Sequence, residues 1–195
     1  MASPVGHALA GYAIARIGWP RDTQADALPW LACAALAVAP DLDLAPGILV
    51  GRPALYHQGA SHSLAAALAV SFAAALVLSR DRGALLRAWL LLFCAYTSHL
   101  LLDLFGPDAR APIGMPLFWP LSDATYLSPI TLLPGIQHAH STQATTSEWI
   151  ASLLDGYHDK AVAIELAVVG PLLLLAGLRA RRRRGPAAPL ETRSP

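Results

Sequence analysis

Charge is what this sequence has least of: only 14% of its 195 residues are Asp, Glu, Lys or Arg, against roughly 25% in an ordinary soluble domain. Hydrophobic residues reach 55% and mean hydropathy is +0.46, so polar side chains are too few to cover a water-facing globule of this size. That excludes a disordered chain. With 14 basic against 13 acidic residues, a basic nucleic-acid-binding domain is excluded too, and no nucleic acid is expected as a partner. Cysteine is scarce. Cys33 and Cys94 each sit inside an apolar run with no Cys or His at ligand spacing, so both read as small buried side chains, not as a disulfide or zinc pair. The chain opens Met-Ala-Ser-Pro, without a basic n-region or a short apolar stretch ending at a cleavage site, and no removable signal peptide is expected. No internal repeat is visible. The class that absorbs such a composition is an all-α integral membrane helical bundle, here of about four to five helices in one domain over residues 1–178.

Residues 64–79 contain no charge, Gly or Pro. Their 16 residues would give about 24 Å of helix, short of the roughly 30 Å hydrocarbon core, so a further turn is expected at one or both ends. Residues 84–104 form a second run, broken by Arg87, Ser98, His99 and Asp103, and residues 161–178 a third, with Glu165 near its start and Pro171 as an expected kink. Residues 5–18 and 28–39 are apolar but short; they read either as tilted spans in a thinned region or as re-entrant helices. Pro40 disfavours α conformation at Ala39 and marks the end of the second of them. Residues 105–160, rich in Pro, Gly, Ser, Thr and His, read as a long extramembrane loop with a short helix near Glu148 to Leu154. From Arg179 the chain is Arg-rich and then Pro-rich, the composition of a disordered tail over 179–195.

Arginine placement gives an orientation. Arg80, Arg82 and Arg87 lie between two strong runs, and Arg179 and Arg181 to Arg184 follow the last one. By the positive-inside rule both places are cytoplasmic, which puts the C-terminus inside. If the two weak segments also cross, Arg16 and Arg21 fall inside as well, the N-terminus lies outside, and only Arg52, Arg110 and Lys160 remain on the other face.

With that topology the ionisable residues gather at the non-cytoplasmic face. Asp41 and Asp43 follow Pro40, and in extended backbone Asp-x-Asp presents two carboxylates on one side with Leu42 turned away. His57 and His62 frame a tight link at Gly59. Ser61 or Ser63 can cap the helix that begins near Leu64, whose N-terminal N–H groups would favour an anion such as phosphate. His99 and Asp103 are four apart inside an apolar helix, hence on one face, where lipid makes them costly unless they meet protein, water or a metal. His7 joins them if the first segment crosses. Taken singly, each has a plain reading: a polar helix terminus, loop histidines in water, a histidine bonded to an aspartate. Together they form an imidazole–carboxylate set suited to a divalent metal, Zn²⁺ or Mn²⁺ or Fe²⁺, and numerous enough for two ions sharing a bridging aspartate. His138, His140 and His158 read as exposed loop histidines, Asp123 and Glu165 as candidate supports for the ligands, and Phe118 and Trp119 as interfacial anchors.

The ordered set Gly6-His7, Pro40-Asp41-Leu42-Asp43, His57-Gln58-Gly59-Ala60-Ser61-His62-Ser63, Ser98-His99 with Asp103, and Gly114-Met115-Pro116 with Trp119-Pro120 resembles the YdjM-like inner-membrane proteins, described as LexA-regulated, membrane-bound, metal-dependent hydrolases. The resemblance covers roughly residues 5–130. It implies a multi-pass protein of a bacterial-type inner membrane, a metal-dependent hydrolase activity, and ligands among His7, Asp41, Asp43, His57, His62, His99 and Asp103. The family pattern His-Arg-Gly-x-Thr-His-Ser carries Gln58 here in place of Arg and Ser61 in place of Thr, which keeps the hydroxyl and removes a possible phosphate clamp.

The expectation is therefore a hydrolase opening at the outer membrane–water boundary and acting on a phosphoester or lipid-like ester through a metal-activated water. Asp43 and His57 are the candidate catalytic residues, and membrane lipid, a divalent metal and a small or lipid-like substrate are the expected partners. The rival is a non-enzymatic protein, a metal-ion carrier or a structural bundle. A carrier needs polar residues continuing toward the cytoplasmic side, and the runs 64–79 and 161–178 offer almost none.

Overall fold

The computed structural model describes residues 2–19, 27–79, 81–109, 111–136, 143–154 and 157–184, and among these the chain is all-α. Helix α1 spans Pro4–Gly18, with Ser3 as its N-cap and Pro4 opening its first turn, where a missing N–H costs nothing. Helix α2, Leu28–Val38, does not stop at Pro40. Ala39 is itself helical (φ −56°, ψ −34°), and the chain tightens into a 3-10 turn over Ala39–Asp43 before continuing as α3, Leu44–Leu49. The expected break fails because Pro40 sits at the start of the 3-10 turn, where its absent N–H is tolerated, and is buried there. The apolar helical run Leu28–Leu49 is thus 22 residues long, enough to cross a bilayer.

Helix α4, Leu64–Leu78, is shut at both ends. Ser63 Oγ caps Ala66 N–H, and Ser79 leaves the helix in extended backbone. The expected extra turn is absent, and the 15 residues measure about 22 Å. Helix α5, Arg82–Leu104, begins at Asp81, whose carboxylate accepts from Ala84 N–H at 2.7 Å. A short α6, Thr146–Leu153, overlaps the helix expected near Glu148 to Leu154 and carries a capping box between Thr145 and Glu148. Helix α7, Tyr157–Arg184, remains helical through Pro171 and runs beyond residue 178, further than the Arg-rich composition indicates. His158, expected in a loop, lies in its first turn. Residues 185–195, Arg21, Arg80, Arg110, His138 and His140 lie outside the described residues.

Helix α1 packs against α2, α5 and α7, and α5 packs against α2 and α4 as well. Ala15, Cys33, Ala75, Ala88, Leu92 and Ala95 form the core toward the arginine-bearing end. A Cβ at Gly11 would collide with the Cys33 carbonyl oxygen, so α1 approaches α2 backbone to backbone. Cys33 is buried as expected, but Cys94 is exposed on α5, because it lies off the buried stripe of Ala88, Leu92, Ala95, Tyr96 and His99. The outer faces are apolar too: Val77 is 85% and Leu174 69% exposed, the all-round hydrophobicity of a helix in lipid.

The starts of α1, α4 and α7 and the ends of α2 and α5 gather at one end, while Arg16, Arg82, Arg87 and Arg179 fall at the other. The segment after α5 folds over the first end as a cover: Leu117 O accepts from Leu64 N at 2.9 Å, Leu104 O from Ser128 N at 2.9 Å, and Met115 pairs with Tyr126. Met115 and Leu133 are fully buried within it. In a background with Cys33 and Cys94 replaced by Ala, cysteines introduced at Leu49 and at Arg82 should react with an impermeant maleimide from opposite sides of the membrane. Labelling of both from one side would overturn this arrangement.

Candidate metal centre

The aspartates of Pro40-Asp41-Leu42-Asp43 lie in the 3-10 turn, not in extended backbone. With about three residues per turn they diverge, so each reaches the cluster from a different side while Leu42, 69% exposed, points outward. Asp41 goes inward. Its Oδ1 lies 3.4 Å from His99 Nε2, 3.8 Å from His62 Nε2 and 4.0 Å from His57 Nε2. One atom from each of Asp41, His62, His99 and Asp103 forms a group in which all lie within 4.8 Å of one another.

The outer atoms of these side chains are already engaged. His99 Nδ1 lies 2.8 Å from Ala37 O; a carbonyl only accepts, so Nδ1 carries a proton and Nε2 is the atom turned inward. His62 Nδ1 lies 3.2 Å from Asp43 Oδ2, which fixes that ring the same way, and full burial holds its imidazole below the ordinary range and so neutral. The two Nε2 atoms face each other at 3.2 Å. Asp103 Oδ1 accepts from Ala2 N at 2.7 Å, leaving Oδ2 at 3.3 Å from His99 Nε2 and 3.8 Å from His62 Nε2. Among the described residues Asp41 Oδ1 and Asp103 Oδ2 accept no hydrogen bond. Two imidazole nitrogens and two carboxylate oxygens turned inward are a donor set of the kind a divalent cation takes.

Asp43 lies behind this group. Its Oδ1 is 2.6 Å from His57 Nδ1, and its Oδ2 accepts from Ser61 Oγ at 2.7 Å as well as facing His62. Asp43, His57 and His62 form a second group of metal-ligating types, but its atoms already satisfy one another. His57 stands at the edge of the centre, its ring edge-on to His62 at 5.1 Å. His7 is fully buried, stacked on His99 with ring centroids 3.7 Å apart, its Nε2 3.3 Å from Asp103 Oδ1.

All seven sequence-derived ligand candidates thus come together. The helix start near Ser63 does not serve as an anion site, because Leu64 N donates to Leu117 O and Ala66 N to Ser63 Oγ. The two serines divide the work, Ser63 capping α4 and Ser61 holding Asp43. Asp123 is exposed on the covering segment, outside the cluster. Tyr96 is a participant that hydropathy conceals: it reads as one more apolar residue of α5, yet its hydroxyl donates to Ser61 O at 2.7 Å.

A bundle apolar outside, with acids and imidazoles sealed into one end, defines an integral membrane protein whose cluster has the composition of a metal site. The chain belongs to the YdjM inner membrane protein family, whose model matches residues 1–183, well past the motif-bearing stretch and through α7. Nothing among curated proteins or solved structures matches it.

The hydrogen bond from Ala2 separates two substitutions. Asp103→Ala leaves that buried N–H without an acceptor and should lower stability by about 1–3 kcal/mol in denaturant titrations of metal-stripped protein. Asp103→Asn keeps an acceptor there and should lose less than half as much. Equal losses would show that the Ala2 contact contributes nothing.

Proposed function

We propose that this protein is a membrane-bound metal-dependent hydrolase. Asp41, His62, His99 and Asp103 would hold one divalent ion, zinc or manganese by donor type. The observation that carries the reading is the convergence of two imidazole Nε2 atoms and two carboxylate oxygens that accept no hydrogen bond in a buried space. A divalent cation among them would offset the cost of burying two carboxylates side by side. A bound divalent ion supplies Lewis acidity that makes water a nucleophile near neutral pH.

The chain's own residues do the rest. His57, its Nδ1 held by Asp43, keeps Nε2 on the side of Asp41, where it can take a proton from water and return it to a leaving group. Asp43 orients His57 and His62 together. Because the centre lies at the end of an apolar bundle and Leu42 is exposed beside it, a phosphoester or lipid-like ester at headgroup level meets the site without leaving the membrane. The arginines at the far end support an orientation with that site away from the cytoplasm and the C-terminus inside.

Elemental analysis of the detergent-purified protein should give about one zinc or manganese per chain, and His62→Ala and Asp103→Asn should lose it. Hydrolysis of phosphomonoester, phosphodiester or carboxyester reporters should fall about 100-fold or more in Asp43→Asn, with metal largely retained. Turnover no faster than that of Asp43→Asn, in wild-type protein that holds its ion, refutes the enzyme reading and favours a structural bundle.

A further inference from the structure

Helix α7 contributes no ligand, yet it carries a buried carboxylate. Glu165 is 1% exposed, about two turns into a helix long and apolar enough to cross a membrane, where an ionisable residue is costly unless its polar atoms are engaged. Both of its oxygens are. Oε1 accepts from Ser3 N at 2.8 Å, and Oε2 accepts from the Ser3 hydroxyl. A Cβ at Gly6 would stand 2.7 Å from Oε2, so glycine at this position is what lets the carboxylate reach the chain.

Everything Glu165 grips leads to the metal centre. Ser3 Oγ accepts from Gly6 N at 3.0 Å and Ser3 O accepts from His7 N at 3.0 Å, which sets the first turn of α1. That turn stacks His7 on His99. The residue before Ser3 donates its N–H to Asp103 Oδ1 and so turns Oδ2 toward the two Nε2 atoms. We infer that Glu165 is a positioning residue of this centre: by clamping Ser3 beside Gly6 it fixes residues 2–7 against His99 and Asp103, and so places ligand geometry under the control of α7. The inference rests on the metal-centre reading above, and its test separates the two.

Zn²⁺ and Mn²⁺ affinities of the full chain in detergent are measured by competition with a chromogenic chelator for wild type, Glu165→Gln, Ser3→Ala and Val169→Ala. Val169 is equally buried one turn further along α7 and serves as a packing control. Glu165→Gln should weaken binding about tenfold or more, the usual cost of removing a group that orients a ligand. Ser3→Ala should weaken it several-fold and carries the test if Glu165→Gln does not fold. Val169→Ala should lower the melting temperature and leave affinity unchanged. In metal-free protein the imidazole proton resonances should show loss of the His7–His99 ring-current shift in Glu165→Gln and its retention in Val169→Ala. If wild type binds no metal, the metal-centre reading fails while the ring-current measurement still judges Glu165. An unchanged stacking signal, or affinity that follows only the melting temperature, makes Glu165 a plain structural tie and overturns the proposal.

Discussion

A buried polar atom in a lipid-facing bundle has no water to fall back on, and this constraint organises the molecule. Most of the cluster's ionisable side chains are held by a specific partner on another element: His99 by the Ala37 carbonyl of α2, Asp103 by the Ala2 amide, Asp43 by His57 and Ser61, Glu165 by Ser3. The partners come from segments remote in sequence. The same bonds that satisfy these groups therefore also fasten the helices at one end, while close-packed alanines and glycine fasten them at the other. Fold and site are in this respect a single network, dry and apolar below, acidic and imidazole-rich above.

Layering within that network follows from which atoms are used up. The Nδ1 atoms of His57, His62 and His99 and one oxygen each of Asp43 and Asp103 are engaged from behind, leaving Nε2 atoms and inner oxygens toward the centre. Ring orientation is thereby settled by the fold itself, which is preorganisation of the kind a metal ligand set requires. Asp43 shows the economy of the arrangement, since a single carboxylate orients two imidazoles.

Much of this was legible in the sequence because polar residues stand out in an apolar one. His99 and Asp103 at helical spacing and the two aspartates beyond Pro40 announced themselves. The arginines, grouped toward one end, left these residues expected together at the other. What stayed hidden depended on geometry that local pattern does not encode. A proline's bias against helix at the preceding residue was outweighed by burial of Pro40 in a 3-10 turn, so the second weak segment proved long enough to cross. Ser61 and Ser63 look interchangeable as caps, and only the path of the chain assigns one to α4 and the other to Asp43. The roles of Tyr96 and Glu165 require knowing which distant backbone lies opposite, a relation spanning most of the chain for Glu165 and Ser3.

The shortness of α4 carries over to the surrounding bilayer. At about 22 Å it falls some 8 Å below a typical hydrocarbon thickness, while its neighbour α5 has 23 residues. Lipid beside α4 must compress or tilt to meet it. Its N-terminal end follows directly on His62, so the dimple forms next to the centre. Hydrophobic mismatch and the imidazole–carboxylate cluster thus fall at the same end of one helix, so a change in bilayer thickness bears directly on the residues that lead out of His62.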